Sequence, residues 1–170
     1  YNEDLRWAMA RAISRGVIVV AAMGNESTED PADTLPLWSG ICGVGAINAD
    51  GSLTEYSNWG NGVETVALGK IIVRSGTSGE VLTMQGTSFA TPIVAGFLAI
   101  AWQRFDDRIT ANQILQAMTT TGTGSNGDWN YYTGFGPADP WGLLNADAAS
   151  LPDVNPCESK TYSLKPSWQD

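Results

Sequence analysis

The order of apolar and polar positions at the start of the chain predicts a helix followed by a buried strand. An amphipathic helix over Asn2–Arg15 is indicated by a one-sided apolar stripe of Leu5, Ala8, Met9, Ala12 and Ile13. Gly16 suits the left-handed conformation that ends a helix. Val17–Ala22 is apolar at every position, which is typical of a parallel strand covered on both faces. A helix, a glycine and such a strand form half of a βαβ unit, so the pattern predicts an α/β fold.

Shorter apolar runs farther along the chain predict more strands. The predicted strands are Ile41–Ile47, Val63–Ala67, Ile71–Val73 and Val81–Met84. The segment "SGTSGE" (Ser75–Glu80) stands between the last two of these runs and consists mainly of turn-forming residues. It therefore predicts a hairpin-like loop that leads into the last strand.

A long apolar segment predicts a buried helix from about Ser88 to Phe105. Its interior, "VAGFLAIAW", is apolar nearly all round, which is typical of a helix enclosed by other elements. Pro92 is compatible with this helix if it lies in the opening turn, where the N–H groups have no internal acceptor.

The last predicted elements follow from local signals. Thr110 with Gln113 matches a capping box, and Ile109 with Ile114 fits a hydrophobic staple, so a helix is predicted to run to about Thr119. The stretch from Trp141 to Ser150 is interpreted as a short strand that leads into a helix. Pro, Asp, Lys and Ser dominate from there on, so residues 1–150 are interpreted as one domain and residues 151–170 as a polar tail or linker.

Composition excludes two classes of partner. The net charge is −9, and the nine cationic residues are scattered, whereas nucleic-acid binding needs clustered Lys and Arg. No run approaches the roughly 18 continuous apolar residues of a membrane span. We therefore expect neither a nucleic-acid nor a membrane partner.

Two polar residues stand where catalytic groups collect in α/β folds. Ser88, in "MQGTSFATPIVAG", lies at the predicted start of a helix, where backbone N–H groups and the helix dipole favour a developing oxyanion. Its alternative interpretation is that Thr87 or Ser88 is only an N-cap. Asn25 directly follows a predicted parallel strand, and its amide can donate to an oxyanion. Its alternative is that Gly24 and Asn25 form a plain turn.

The two stretches "AAMGNES" and "GTSFATPIVAG", in that order, resemble the second half of the subtilisin-like serine peptidases, the subtilases. "YSNWG" (Tyr56–Gly60) and "GLLNADAA" (Gly142–Ala149) extend the resemblance. It implies a three-layer sandwich with a mainly parallel sheet, of which this chain is the C-terminal portion only. It also implies that Ser88 is the nucleophile and that Asn25 is the side-chain oxyanion donor. The backbone N–H of Ser88 would complete the oxyanion hole, and Thr87 would support it.

The same resemblance extends to substrate binding. Ala22, Met23 and Gly24 would line one wall of the pocket for the residue before the scissile bond. Met23 is bulkier than the alanine common there and is expected to alter that wall. The loop Glu26–Asp33 next to them is acidic, and it is interpreted as solvated, with a preference for basic substrates or a cation site as alternatives.

The chain contains no histidine, although the resemblance requires one as general base. In subtilases the aspartate and histidine precede the serine, so we expect both in an N-terminal half outside this chain, and we interpret the chain as a piece of a longer product that begins at an internal position. The resemblance thus implies a serine endopeptidase acting on polypeptides through an acyl-enzyme, inactive without its other half. The alternative is a non-catalytic scaffold that binds peptides or a partner chain. Family resemblance also implies secretion and allows a calcium site.

Two departures from the family pattern concern the surroundings of the site. Ile93 follows Pro92 where the motif often has histidine, but that histidine is not the general base. Leu68 replaces the proline of an Ala-Pro-Gly segment before the hairpin, so the shape of that loop is expected to differ.

The two cysteines are interpreted separately. Cys42 lies in "GICGVGAI" and is expected to be a small buried residue. Cys157 can be unpaired, paired within the chain, or paired with another segment. No metal-binding spacing occurs, and without histidine we expect no zinc site.

Overall fold

The computed structural model describes residues 3–31, 34–124 and 127–158. Within these residues the strands are β1 (Val19–Ala22), β2 (Ile41–Ile47), β3 (Val63–Leu68), β4 (Lys70–Arg74) and β5 (Val81–Gln85). The α-helices are α1 (Glu3–Ile13), α2 (Thr87–Phe105), α3 (Ala111–Thr121) and α4 (Pro140–Asn145). Three short 3₁₀ segments lie at Leu35–Leu37, Asp106–Arg108 and Ala148–Ser150. The first residue of the predicted amino-terminal helix, Asn2, lies outside the described residues.

A three-stranded parallel sheet forms the centre of the molecule, with strand order β1, β2, β3. Strand β2 is buried along its whole length. Helix α1 packs against one face of the sheet through Leu5, Met9 and Ile13, around the buried Trp38. Helices α2 and α3 pack against the other face, where Cys42 and Val94 belong to the largest buried cluster. The α/β class with a mainly parallel sheet is therefore confirmed.

Strands β4 and β5 form an antiparallel hairpin apart from this sheet, as the loop at residues 75–80 predicts. Strand β5 is exposed along its whole length. The loop between Ala67 and the hairpin is very tight: a Cβ on Gly69 would lie 2.5 Å from the Cβ of Ala46. Leu68 itself is 46% exposed and fits the turn without entering the core.

Strand β1 and helix α2 are less covered than their sequences predict. Val17 precedes β1 and is 52% exposed, and β1 is the edge of the parallel sheet. Helix α2 buries only one stripe, and Ile100 on another side is 53% exposed. The two elements border a groove of about 550 Å³, here called the outer groove, whose apolar lining includes Val17, Ile18, Val20, Ala95, Ala99 and Trp102. The expectations of a strand covered on both faces and a helix buried all round are wrong for the described residues, because no segment among them fills this groove.

Helix α2 begins one residue earlier than expected. Its N-cap is Gly86 and its first residue is Thr87, so Pro92 is the sixth residue of the helix. The interpretation that Pro92 lies in the opening turn is therefore wrong. An uninterrupted helix would place an N–H at this position to donate to the carbonyl of Ser88, and proline cannot supply it.

The capping box of α3 is confirmed. The backbone N–H of Gln113 donates to Thr110 Oγ1 over 3.2 Å, and that of Thr110 donates to Gln113 Oε1 over 3.0 Å. The strand expected near Trp141 is wrong. Pro140 opens helix α4 there, and the N–H of Trp141 donates to the capping carboxylate of Asp139 over 3.0 Å.

The first part of the predicted tail is packed against the domain. Asn155 and Cys157 are buried, and the N–H of Gly40 donates to the carbonyl of Cys157 over 2.8 Å. The remainder of that tail, residues 159–170, lies outside the described residues. Residues 151–158 are called the C-terminal segment below.

Candidate active site

The carboxyl end of β1 and the start of α2 bring Asn25 to Thr87, the neighbour of Ser88. Thr87 is fully buried and uses both its backbone and its side chain in this contact. Its N–H donates to Asn25 Oδ1 over 2.8 Å, and its hydroxyl donates to the same oxygen over 3.1 Å. The Thr87 hydroxyl also accepts the N–H of Gly24 over 3.1 Å. Two segments separated by 62 positions in sequence are thus joined by three hydrogen bonds.

These bonds fix the orientation of the Asn25 carboxamide. A backbone N–H can only donate, so the side-chain atom facing Thr87 must be the oxygen. The amide group, Nδ2, must then point away from Thr87. Among the described residues Nδ2 has no hydrogen-bond acceptor. Asn25 therefore presents two N–H donors at the exposed side of the site.

Gly86, next to Asn25, has a backbone conformation that favours glycine. Its φ of +150° is disfavoured for residues with a side chain. A Cβ at this position would also lie 3.4 Å from Asn25 Nδ2. The positive φ explains why the residue before the helix is glycine. Because Gly86 is the N-cap, neither Thr87 nor Ser88 is.

Ser88 is exposed at the second position of α2. Its hydroxyl has no hydrogen-bond partner among the described residues. The N–H groups of the first helical turn have no internal acceptor, so the N–H of Ser88 also remains a donor. An exposed hydroxyl and one backbone donor are therefore available on the residue that follows Thr87, the hydrogen-bond partner of the Asn25 carboxamide.

Asn58 holds the loop that carries Asn25, and sequence reasoning gave it no role. This residue is fully buried, and its Nδ2 donates to the carbonyl of Met23 over 2.8 Å and to Glu26 over 2.7 Å. Its Oδ1 accepts the N–H groups of Glu26 and Thr28 over 3.1 and 3.0 Å. The only available signal was its place in "YSNWG", because a buried asparagine cannot be recognised from apolar periodicity.

The three residues expected to line a substrate pocket, Ala22, Met23 and Gly24, differ in burial. Met23 is fully buried and packs with Ile47, Val63 and Val66. Its side chain thus fills the core, which disagrees with the expectation that it alters the wall. Ala22 and Gly24, on either side, are only partly buried.

The carboxylates of Asp30 and Glu29, in the acidic loop, accept hydrogen bonds from uncharged donors. Asp30 accepts hydrogen bonds from Asn61 Nδ2 over 2.7 Å and from the N–H of Gly62 over 3.2 Å. Tyr131 donates to Glu29, and this bond, with burial and nearby acidic charge adding to it, raises the pKa of Tyr131 to about 12. Tyr131 therefore remains a neutral donor throughout the physiological pH range. Asp33, at the end of this loop, lies outside the described residues.

The described residues contain one cluster with metal-ligand chemistry, formed by Cys42, Glu64 and Cys157. It lies at the amino ends of the strands, whereas Asn25 follows the carboxyl end of β1. No helix in the described ranges combines the length and the apolar character that crossing a membrane requires.

Comparison with known proteins gives consistent matches. The model of the subtilase family matches residues 1–136. The intracellular serine protease of Paenibacillus polymyxa is 38% identical over 59% of this chain and 32% of its own length. Subtilisin DY of Bacillus licheniformis is 28% identical over 86% of this chain and 51% of its own length. Fervidolysin from Fervidobacterium pennivorans, described as a keratinolytic enzyme related to subtilisin, has a similar structure with a TM-score of 0.73 at 23% identity, covering 88% of this chain and 26% of that chain.

Proposed function

Because the chain belongs to the subtilase family, we propose that it carries the nucleophile and the oxyanion hole of a serine endopeptidase. The observation that carries this proposal is the set of hydrogen bonds between Thr87 and Asn25. These bonds join Asn25 to the residue that precedes Ser88, and the N–H donors of Asn25 have no acceptor among the described residues. A plain turn at Asn25 would not need this contact.

In the proposed reaction, the Ser88 hydroxyl attacks the carbonyl carbon of a peptide bond. The negative charge that forms on the carbonyl oxygen is stabilised by Asn25 Nδ2–H and by the backbone N–H of Ser88. Collapse of this intermediate releases the amine and leaves the acyl group on Ser88, from which water releases the acid. Ala22 and Gly24 contribute backbone to one wall of the substrate pocket, and so does the main chain of Met23.

The general base must come from outside this sequence. The 170 residues contain no histidine, and the chain spans only 32% and 51% of the two curated relatives compared above. We therefore propose that an N-terminal part of the same domain supplies the aspartate and the histidine. In subtilisin itself, loss of the histidine lowers turnover by about 10⁶-fold, so this chain alone is expected to be essentially inactive.

The outer groove is where that missing part is proposed to bind. An unpaired edge strand beside an apolar helix face is an unstable surface in water, and another strand alongside β1 would cover both. Polypeptides are the proposed substrates. Family membership does not decide the compartment, because one relative is named as an intracellular protease, so secretion remains a proposal.

The proposal is tested by labelling the full-length protein with a fluorophosphonate, which reacts with activated serines. We expect one adduct, located on Ser88 by peptide mapping, and no adduct in the S88A variant. Thr91→Ala, on the same helix, is the matched control and should label normally. An unlabelled, correctly folded full-length protein would support the non-catalytic scaffold instead.

A further inference from the structure

A second group of reactive side chains lies at the other end of the strands from Asn25. Cys42 is the second residue of β2, Glu64 is the second residue of β3, and Cys157 belongs to the C-terminal segment. The two sulfur atoms and one carboxylate oxygen of Glu64 all lie within 4.8 Å of one another. Both cysteines are completely buried and Glu64 is 4% exposed. The proposed peptidase reaction uses none of these groups.

The position of Cys157 is set by the bonds around it. Its carbonyl accepts the N–H of Gly40 over 2.8 Å, and its own N–H donates to Asn155 Oδ1 over 2.9 Å. The next residue, Glu158, accepts a hydrogen bond from Ser39 Oγ over 2.6 Å. These contacts hold the C-terminal segment beside the residues that lead into β2. Hydrogen bonds of the main chain therefore hold Cys157 close to Cys42.

We propose that Cys42 and Cys157 form a disulfide that fastens the C-terminal segment covalently to β2. They are the two cysteines of this sequence, so each is the one possible disulfide partner of the other within it. The sulfur atoms lie within 4.8 Å of each other, and a bond of about 2.05 Å requires them to move closer by side-chain rotation, backbone movement or both. The inference does not depend on the proposed peptidase activity.

The oxidant for this step is a small-molecule disulfide, such as glutathione disulfide, acting while the segment docks during folding. One protein thiolate attacks the glutathione disulfide, forms a mixed disulfide and releases one glutathione thiol. The second protein thiolate then attacks the protein sulfur of the mixed disulfide and releases the second glutathione thiol. The two cysteines lose two electrons and two protons in total, and both are taken up by the two glutathione molecules.

A metal site is the competing interpretation, because Glu64 accompanies the two sulfur atoms. A closed structural zinc site has four protein ligands, usually cysteine and histidine. The described residues supply three, and the sequence has no histidine. Glu64 Oε2 also accepts the N–H of Gly43 over 2.7 Å, which gives this carboxylate a role in the backbone of β2. Disulfide formation needs only the thiols of Cys42 and Cys157, which are both present.

The test is to refold the full-length protein in a buffer of reduced and oxidised glutathione and to map its peptides without reduction. We expect one cross-linked pair that contains Cys42 and Cys157, with a mass two hydrogens below the sum of the separate peptides. Two alkylatable thiols, a stable mixed disulfide with glutathione, or one equivalent of zinc retained by the refolded protein would each overturn the proposal.

A second measurement tests whether the proposed disulfide stabilises the folded protein. Adding a reductant should lower the unfolding temperature of the refolded protein by about 5 °C or more, since a cross-link that closes a long loop is lost. The Ser39→Ala variant is the matched control, because it loses a contact of the same segment and keeps both cysteines. It should respond to the reductant as the parent does, whereas Cys157→Ser should not respond. An equal response of C157S and the parent would contradict the proposal, and the peptide map of the parent decides the matter if C157S fails to fold.

Discussion

The loop around Asn25 and the outer groove differ sharply in how well their side chains are partnered within this chain. Polar side chains of the loop are hydrogen-bonded, whereas apolar side chains of the groove are uncovered. Around Asn25, two buried polar residues are well hydrogen-bonded: Asn58 makes four side-chain hydrogen bonds, and Thr87 makes three to the segment that carries Asn25. In the outer groove, apolar groups of β1 and α2 face solvent. One region is held together by hydrogen bonds within this chain, and the other leaves apolar side chains in an open groove. The difference teaches that the chain holds the loop of Asn25 in position by itself, whereas we propose that a segment outside this sequence covers the groove.

The largest effect is expected from a charge in the outer groove. Ala99→Glu would bury an uncompensated carboxylate where we propose that the rest of the domain packs. Such burial costs several kcal/mol, a large share of the roughly 5–15 kcal/mol that stabilises a domain. We expect the full-length variant to be mostly unfolded by circular dichroism. Ile72→Glu is the control, because Ile72 is 75% exposed on the hairpin. Normal folding of A99E would show that the groove stays open to water.

Removing the Asn25 carboxamide should lower turnover strongly, with a smaller loss of stability because the buried N–H and hydroxyl of Thr87 lose their acceptor. We expect Asn25→Ala to lower kcat of the full-length protein by about 10²–10³-fold, the usual effect of removing one oxyanion-hole donor. KM should change little, because the amide acts on the charge that develops in the transition state. Steady-state peptide hydrolysis measures both constants. A kcat within a factor of three of the parent would remove Asn25 from the mechanism.

Replacing Asn58 tests whether the loop around Asn25 depends on one buried side chain. Asn58→Ala leaves two N–H groups and one carbonyl without their partner, so we expect a loss of about 3 kcal/mol in the free energy of unfolding. Asn61→Ala is the control, since Asn61 is exposed in the same loop and contacts only Asp30 through its side chain among the described residues. Denaturant unfolding compares the two. Equal losses would mean that Asn58 does not hold the loop.

The smallest effect is expected from the Thr87 hydroxyl. Thr87→Val keeps the shape of the side chain and the backbone bond to Asn25 but removes the hydroxyl bonds to Asn25 and Gly24. We expect kcat to fall by about tenfold with a small change in KM, because one of two bonds that orient the carboxamide remains. Thr91→Val is the control, because among the described residues its hydroxyl hydrogen-bonds only to the carbonyl of Thr87. Indistinguishable kcat values for the two variants would contradict an orienting role.

Sequence patterns predicted the elements whose signals are local. The fully apolar β2, the capping box at Thr110 and the hairpin all follow from short-range periodicity or turn chemistry. The start of α2 was misplaced by one residue because Gly86 caps the helix through its backbone conformation, with no side-chain signal. The strand near Trp141 was wrong because Asp139 and Pro140 favour a helix start there.

Only the residues of the candidate site that lie in recognisable motifs were predictable from the sequence. "AAMGNES" and "GTSFATPIVAG" pointed to Asn25 and Ser88, but periodicity does not report the buried polar contacts between distant segments. The role of Asn58 and the inward direction of Met23 therefore needed the structure. The partial exposure of β1 was also unpredictable, because an apolar strand has the same pattern whether its neighbour is present or not.

The most direct test of the account is a crystal structure of the full-length protein after reaction with a fluorophosphonate. We predict that phosphorus is bonded to Ser88 Oγ and that one phosphonyl oxygen lies about 2.7–3.1 Å from both Asn25 Nδ2 and the Ser88 nitrogen. An adduct on another residue, or an oxygen turned away from Asn25, would contradict the proposed roles of both side chains.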